Sequence, residues 1–183
     1  MKLHDDAVQT LSQWQPLDQE DPAGQQLLVQ DYLDFLHEHD DAMLRSCVPG
    51  HLTASVLVLS ADRQHTLLTL HPKVGRWLQL GGHCEPSDPS LAAAALREGT
   101  EESGLTGLQL TTGQPVRLDR HLVGCHGGSR HLDVQYAAIT TTAAQPVMSD
   151  ESLDLRWWPV VDLPADSDDA LRALVRVVTQ QPG

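Results

Sequence analysis

The chain predicts the α+β class: an α/β/α sandwich with a mixed β-sheet, preceded by an N-terminal helical segment. Three observations carry that reading. Apolar runs of strand length recur between His51 and Val160, the first being the β-branched stretch from His51 to Ser60. Helical runs interrupt and end that series, at 89–103 and 168–179. The resulting order, ββ–helix–βββ–helix, gives a mixed sheet packed between helices.

Taken in order, residues 4–14 and about 25–45 read as helices. In the second, Leu28, Tyr32, Phe35 and Leu36 recur at helical spacing, while Asp31, Asp34, Glu38 and Asp40 take the other faces. Pro16 and Asp21-Pro22-Ala23-Gly24 mark turns between them. Residues 1–45 thus form an N-terminal helical extension to a domain over 46–183, suited to covering a sheet edge or to a homodimer contact, or else to a part in substrate selection. After Pro49-Gly50, His51 to Ser60 and Thr66 to Leu70 form a hairpin across Ala61-Asp62-Arg63-Gln64. Arg76 to Leu80 then delivers the chain to Gly81-Gly82, where paired glycines let the backbone approach a ligand closely.

A polar loop follows, and Ser87 or Asp88 offers an N-cap with Pro89 at the first helical position. Leu91, Ala92, Ala95 and Leu96 give this helix a small-residue face for close packing on a sheet. Gly104 stands where a left-handed C-terminal cap belongs. Strands are expected at 108–111, 116–123, 131–140 and 153–160, with a mobile Gly-rich tip at 124–128. The final helix sets Leu171, Leu174, Val175 and Val178 on one face.

Composition narrows the function. A length of 183 residues fits one domain with a small appendage, and 40% hydrophobic content suffices for a core. The formal net charge of −13 argues against nucleic acid as a partner, since phosphate backbones need basic patches. Cys47, Cys84 and Cys125 form neither a C-x-x-C pair nor an even framework, which points to a reduced compartment. The N-terminus has no apolar signal region and no stretch reaches a membrane span, so the expected location is the cytoplasm.

The chemistry concentrates in Gly81 to Leu105, GGHCEPSDPSLAAAALREGTEESGL. Glu98, Glu101 and Glu102 stand at i, i+3 and i+4, which puts three carboxylates on one helical face. Like charges so placed repel, and a divalent cation offsets the cost. Hard oxygen ligands suit Mg²⁺ or Mn²⁺. Arg97, four residues before Glu101, can orient that carboxylate from the side.

This stretch resembles the signature of the Nudix hydrolases, G-x5-E-x7-R-E-U-x-E-E-x-G-U, where U is a bulky aliphatic residue. Gly82, Arg97-Glu98, Glu101-Glu102 and Gly104-Leu105 match, and the resemblance covers about 46–183. Asp88 replaces the first Glu, eight residues instead of seven separate it from Arg97, and Gly99 replaces the aliphatic residue. Gly99 also lowers helix stability by about 1 kcal/mol relative to Ala.

The resemblance implies a metal-dependent hydrolase of a nucleoside diphosphate linked to another group. It implies Glu101 and Glu102 as the main metal ligands, Glu98 as a ligand or as a group that helps hold the water, a backbone carbonyl at Gly81 or Gly82 as a further ligand, and Arg97 as structural. It also implies a later-loop glutamate as base or extra ligand, for which Glu151 is in the right region. His83, beside the glycines, is a candidate contact for substrate phosphate, and Arg76 is a second candidate substrate-binding residue. Subfamily marks for NADH, coenzyme A, ADP-ribose or dinucleoside polyphosphate substrates are missing, so the substrate stays unassigned.

Two other functions fit the residues less well. A non-catalytic Nudix-like binding module commonly loses box glutamates, which this chain keeps. An isopentenyl-diphosphate isomerase-like enzyme needs an upstream catalytic Cys, and Cys47 sits only at the start of the first strand. Zinc is not expected: His83-Cys84 and Cys125-His126, with His121 and His131 nearby, hold the right ligand types but lack the usual paired spacing.

Overall fold

Every residue of the central strand β1 (Gly50–Leu59) is buried. The remaining elements of this computed structural model, which describes residues 2–122, 129–140, 145–150 and 152–180, are arranged around it. In chain order they are α1 (Leu3–Gln13), α2 (Pro22–Glu38), β1, β2 (His65–His71), β3 (Arg76–Leu78) and β4 (Leu80–His83). Then come α3 (Leu91–Ser103), β5 (Gln109–Leu110), β6 (Arg117–Leu122), β7 (Arg130–Ile139), β8 (Asp154–Pro159) and α4 (Asp169–Gln180). The expected Gly124–Gly128 tip lies outside the described residues.

On one side β1 pairs in parallel with β7, from Gly50↔Arg130 to Leu59↔Ile139. On the other it pairs antiparallel with β4 over Thr53–Val56 and with β2 at Val58–Leu59. β7 likewise carries β6 along its first half and β5 near its end. Strands that share an edge in this way must diverge, so the mixed sheet curls, and the expected α+β architecture is the observed one.

Because side chains alternate along a strand, β1 faces two different interiors. Leu52, Ala54, Val56 and Val58 join α1, α2 and α3 in one core. Leu57 and Leu59 join Leu171, Leu174, Val175 and Val178 of α4 in a second. Fully burying each Leu or Val is worth about 1.5–3 kcal/mol. These strands are therefore fixed in register, since a one-residue slip exchanges the two faces.

The N-terminal segment closes a sheet edge. Gln25 Nε2 donates to the Leu118 carbonyl at 3.1 Å and the Leu118 amide donates to Gln25 Oε1 at 2.8 Å. Tyr32 adds a hydroxyl bond of 2.6 Å to the Asp119 carbonyl. Helix α1 also reaches α3: Asp6 Oδ2 accepts the Leu91 amide at 2.8 Å, satisfying a donor at that helix N-terminus. Among the described residues, no helix is long and apolar enough to cross a membrane.

Three local expectations differ from the structure. Helix α2 stops at Glu38, well before residue 45, and the chain then passes through turns at His39–Ala42 and Asp41–Leu44. Carboxylates at Glu38, Asp40 and Asp41 oppose the negative end of a helix dipole there. Gly81 and Gly82 lie within β4, paired with Ser55 and Ala54, instead of opening a loop. Helix α3 is capped by Ser90, whose Oγ accepts the Ala93 amide at 3.1 Å, and not by Ser87 or Asp88.

Asp88 is drawn away from the capping role by a stronger partner. Its carboxylate is buried and takes two bonds from Arg97, Nε to Oδ1 at 3.0 Å and Nη2 to Oδ2 at 3.1 Å. It also accepts the Glu85 amide at 2.8 Å. Burial pushes the Asp88 carboxyl up, but the Arg97 and Glu85 bonds outweigh it and hold the pKa below the usual value. The extra residue before Arg97 goes with a side chain one methylene shorter than Glu, and the ion pair still closes.

Gly99 has a steric cause. It is buried in α3, and a Cβ there would stand 2.6 Å from Val56 Cγ1 on β1. The helix continues through it from Leu91 to Ser103, so the missing side chain brings helix and sheet together instead of breaking the helix.

Gly99→Ala is expected to cost about 1–3 kcal/mol in urea unfolding, despite the better helix propensity of Ala, because overpacking wins. The same change should cost clearly less in a Val56→Ala background; equal costs in both would show that Val56 is not the obstacle. Asp88→Asn should cost about 1–3 kcal/mol at pH 7, the scale of hydrogen bonds to charged groups. The folded pKa of Asp88 is lowered, so its contribution is present above about pH 4 and is lost as pH falls through the folded value. The gap between parent and variant should therefore shrink below about pH 4, and a gap independent of pH would contradict the ion pair.

Candidate functional site

At 3.6 residues per turn, α3 presents Glu98, Glu101 and Glu102 on one side. Their environments differ. The Glu98 side chain is 12% exposed and the Glu101 side chain 59%. Glu102 is half-buried, and its Oε2 accepts the Gly81 amide at 3.3 Å. Glu98 lies against the adjoining glycine, since a Cβ on Gly82 would stand 2.7 Å from its Oε2. Only a residue without a side chain lets that carboxylate and the β4 backbone come so close.

Arg97 organises the cluster. Nη1 donates to Glu98 Oε1 and to Glu101 Oε2, each at 3.0 Å, and Nη2 donates to the His83 carbonyl at 3.0 Å. With the two bonds to Asp88, one guanidinium ties the loop, the end of β4 and the acidic face of α3 together. Hydrogen bonding to Asp88 drives its pKa further above the ordinary arginine value, with the Glu98 charge adding to it against the effect of burial. It stays charged at every working pH.

The carboxylates at this point are donors of the hard-oxygen kind that divalent Mg²⁺ or Mn²⁺ prefers, and Gly82 lets the Glu98 carboxylate lie against the β4 backbone. The three glutamates are held apart more than a closed ligand cage requires. Among the described residues, ligand atoms within 4.8 Å of one another occur at His51–His83–His131 and at His39–Asp41–Cys47, and not at Glu98–Glu101–Glu102.

Glu151 lies outside the described residues. The chain on either side of it is placed: the Val147 amide donates to the Ser103 carbonyl at 2.7 Å, at the end of α3. Ser152 is buried and bonds Thr69 at 2.6 Å. Gly104 caps the helix in the left-handed conformation, φ 65°, as its position in the sequence led one to expect. Arg76 is exposed on β3, opposite His71, and among the described residues makes no ion pair with the glutamates of α3.

His83 is in β4, and its ring belongs to a polar patch that the sequence reading missed. In register, His51, Thr53 and Ser55 of β1 stand beside His131, Asp133 and Gln135 of β7, with His121 and Asp119 of β6 beyond. Asp133 accepts Thr53 Oγ1 at 2.9 Å, Ser55 Oγ at 2.7 Å and Gln135 Nε2 at 3.2 Å. Burial pushes its carboxyl up despite those bonds. Asp119 is the opposite case. Burial raises it, but the bond from His121 and the charges of His121 and Arg117 bring it below the usual range. Its partner His121 is raised, chiefly by the Asp119 bond. Burial and the neighbouring histidines hold His131 down to about 3. The signal was present as alternate polar residues in two strands, within runs otherwise read as apolar.

Cys47 is buried, and burial and Asp41 push its thiol up to about 11. Such a thiol is a poor acid or nucleophile at neutral pH, which weakens the isomerase-like reading.

Comparison with known proteins fits this geometry. The NUDIX domain model matches residues 49–177. No curated protein matches the sequence. Among solved structures, the chain is similar to a NUDIX family hydrolase from Clostridium perfringens, at 24% identity and TM-score 0.57, covering 73% of this chain and 100% of that one. It is similar to the NUDIX domain of Shewanella oneidensis NrtR complexed with ADP ribose, at 20% identity and TM-score 0.54, covering 80% and 96%. It is also similar to a C. elegans Ap4A hydrolase, at 18% identity and TM-score 0.53, covering 70% and 94%. At these identities the structural likeness is one of fold. The family match spans most of the chain, and the protein belongs to the NUDIX domain family.

Proposed function

We propose that this chain is a metal-dependent pyrophosphohydrolase that cleaves a diphosphate linkage in a nucleoside diphosphate joined to another group. The observation that carries the reading is the seating of Glu98 and Glu102 against the Gly81–Gly82 backbone, with Arg97 fixing the acidic face from behind. A net charge of −13 makes the approach of a diphosphate unfavourable unless a cation intervenes.

In this proposal Glu98, Glu101 and Glu102, with the Gly82 carbonyl or that of Gly81, hold Mg²⁺ or Mn²⁺. When bound, such an ion neutralises phosphate oxygens and makes a coordinated water more acidic. The protein's own part is placement. Arg97 holds Glu98 and Glu101 in orientation, and the buried position of Glu98 strengthens its charge interactions. Glu151 is the proposed proton acceptor. Arg76 is the proposed substrate contact, since the His83 ring is turned to the histidines on the other side of β4 from the α3 carboxylates. ADP-ribose and Ap4A, named with two of the similar structures, are nucleosides joined through phosphoanhydrides, which supports that substrate class.

Glu102→Gln is expected to lower Mg²⁺- or Mn²⁺-dependent turnover of a responsive nucleoside diphosphate compound by at least about a hundredfold, with the fold intact. Near-normal turnover in the variant would remove Glu102 from the mechanism. If the parent released no phosphate product from any compound of a broad panel with either metal, the binding-module reading would replace the enzymatic one.

A further inference from the structure

We infer that His51, His83 and His131 form a second cation site, chemically distinct from the carboxylates of α3 and suited to a divalent transition metal, Zn²⁺ first. The three rings come from three different strands, β1, β4 and β7, that the sheet brings side by side. Centroids are 5.0 Å apart for His51–His83, 4.8 Å for His51–His131 and 5.3 Å for His83–His131. One nitrogen from each lies within 4.8 Å of the others. With Zn–N bonds of about 2.0–2.1 Å, ligand nitrogens around a tetrahedral ion stand roughly 3.3 Å apart. Closing the group needs ring shifts on the order of 1 Å, within the reach of small χ rotations.

The alternative is three stacked core histidines with no ligand, and two observations favour the ion. His131 Nε2 is buried without a hydrogen-bond partner among the described residues, an arrangement that costs free energy unless something occupies the nitrogen. Asp119 and Asp133, directly opposite on neighbouring strands, set carboxylates in the next row of the sheet, a setting that suits a cation bound by imidazoles. Imidazole nitrogens suit Zn²⁺, Cu²⁺ or Ni²⁺ and not Mg²⁺, so the two sites select different ions. Three protein ligands leave an open coordination position. The sequence spacing hid the group, because its members are 32 and 48 residues apart and meet only through sheet register.

The test uses the full chain, freed of any affinity tag, stripped with chelator and kept in excess Mg²⁺. Co²⁺ is titrated while its visible absorption is followed, and Zn²⁺ is then added in competition. One Co²⁺ per chain, displaced by Zn²⁺, is expected. His131→Ala and His83→Ala should each weaken Co²⁺ binding by at least about tenfold, and Glu98→Gln should leave it unchanged. His83→Ala keeps the test valid should His131→Ala unfold, because the His83 group that bonds Arg97 is its backbone carbonyl. The proposal fails if no saturable Co²⁺ band appears, if folded His83→Ala binds as the parent does, or if Glu98→Gln abolishes the band. None of these outcomes depends on hydrolytic activity, so the two metal readings stand or fall separately.

Discussion

One guanidinium holds the acidic end of this molecule together. Arg97 bonds Asp88, Glu98, Glu101 and the His83 carbonyl, so a single positive charge answers three carboxylates in a chain already at −13. Its bonds to Asp88 are largely shielded from water, where charge-assisted pairs are stronger but a lost partner is most costly. Remove it, and the loop between β4 and α3 loses its anchor while neighbouring carboxylates repel one another. The geometry proposed for metal binding therefore rests on a structural ion pair before it rests on any metal.

The second constraint is the division of β1. Its period of two sends Leu52, Ala54, Val56 and Val58 into one core and Leu57 and Leu59 into the other. At the strand's first half the second direction carries His51, Thr53 and Ser55 in place of apolar groups. The α4 core therefore gives way to a buried polar patch along the same face. That patch and the carboxylates of α3 lie on the two sides of β4. Gly82 turns toward Glu98, and the next residue, His83, places its ring among the histidines.

Much of this was legible in the residues. The alternation of strands and helices, the left-handed cap at Gly104 and the glutamate spacing are local signals, although four strands stand on each side of α3 where the expected order gave two and three. The Asp88 position was misread, because a capping preference is local while its pairing with Arg97 is a tertiary contact worth more. Gly99 looked like a weakness of the helix. Its cause is the Val56 methyl across the interface, which no pattern within the helix discloses. The histidine group was invisible for a similar reason: parallel pairing of β1 with β7 sets which distant residues meet, and register is not written in either strand alone.

The most direct test of the central claim is diffraction from crystals soaked in Mn²⁺, with anomalous scattering used to locate the ion. The account predicts a peak between the Glu98 and Glu102 carboxylates and the backbone at Gly81–Gly82, with Arg97 still bound to Asp88. Mn²⁺ bound elsewhere, with that position vacant at saturating ion, would contradict it.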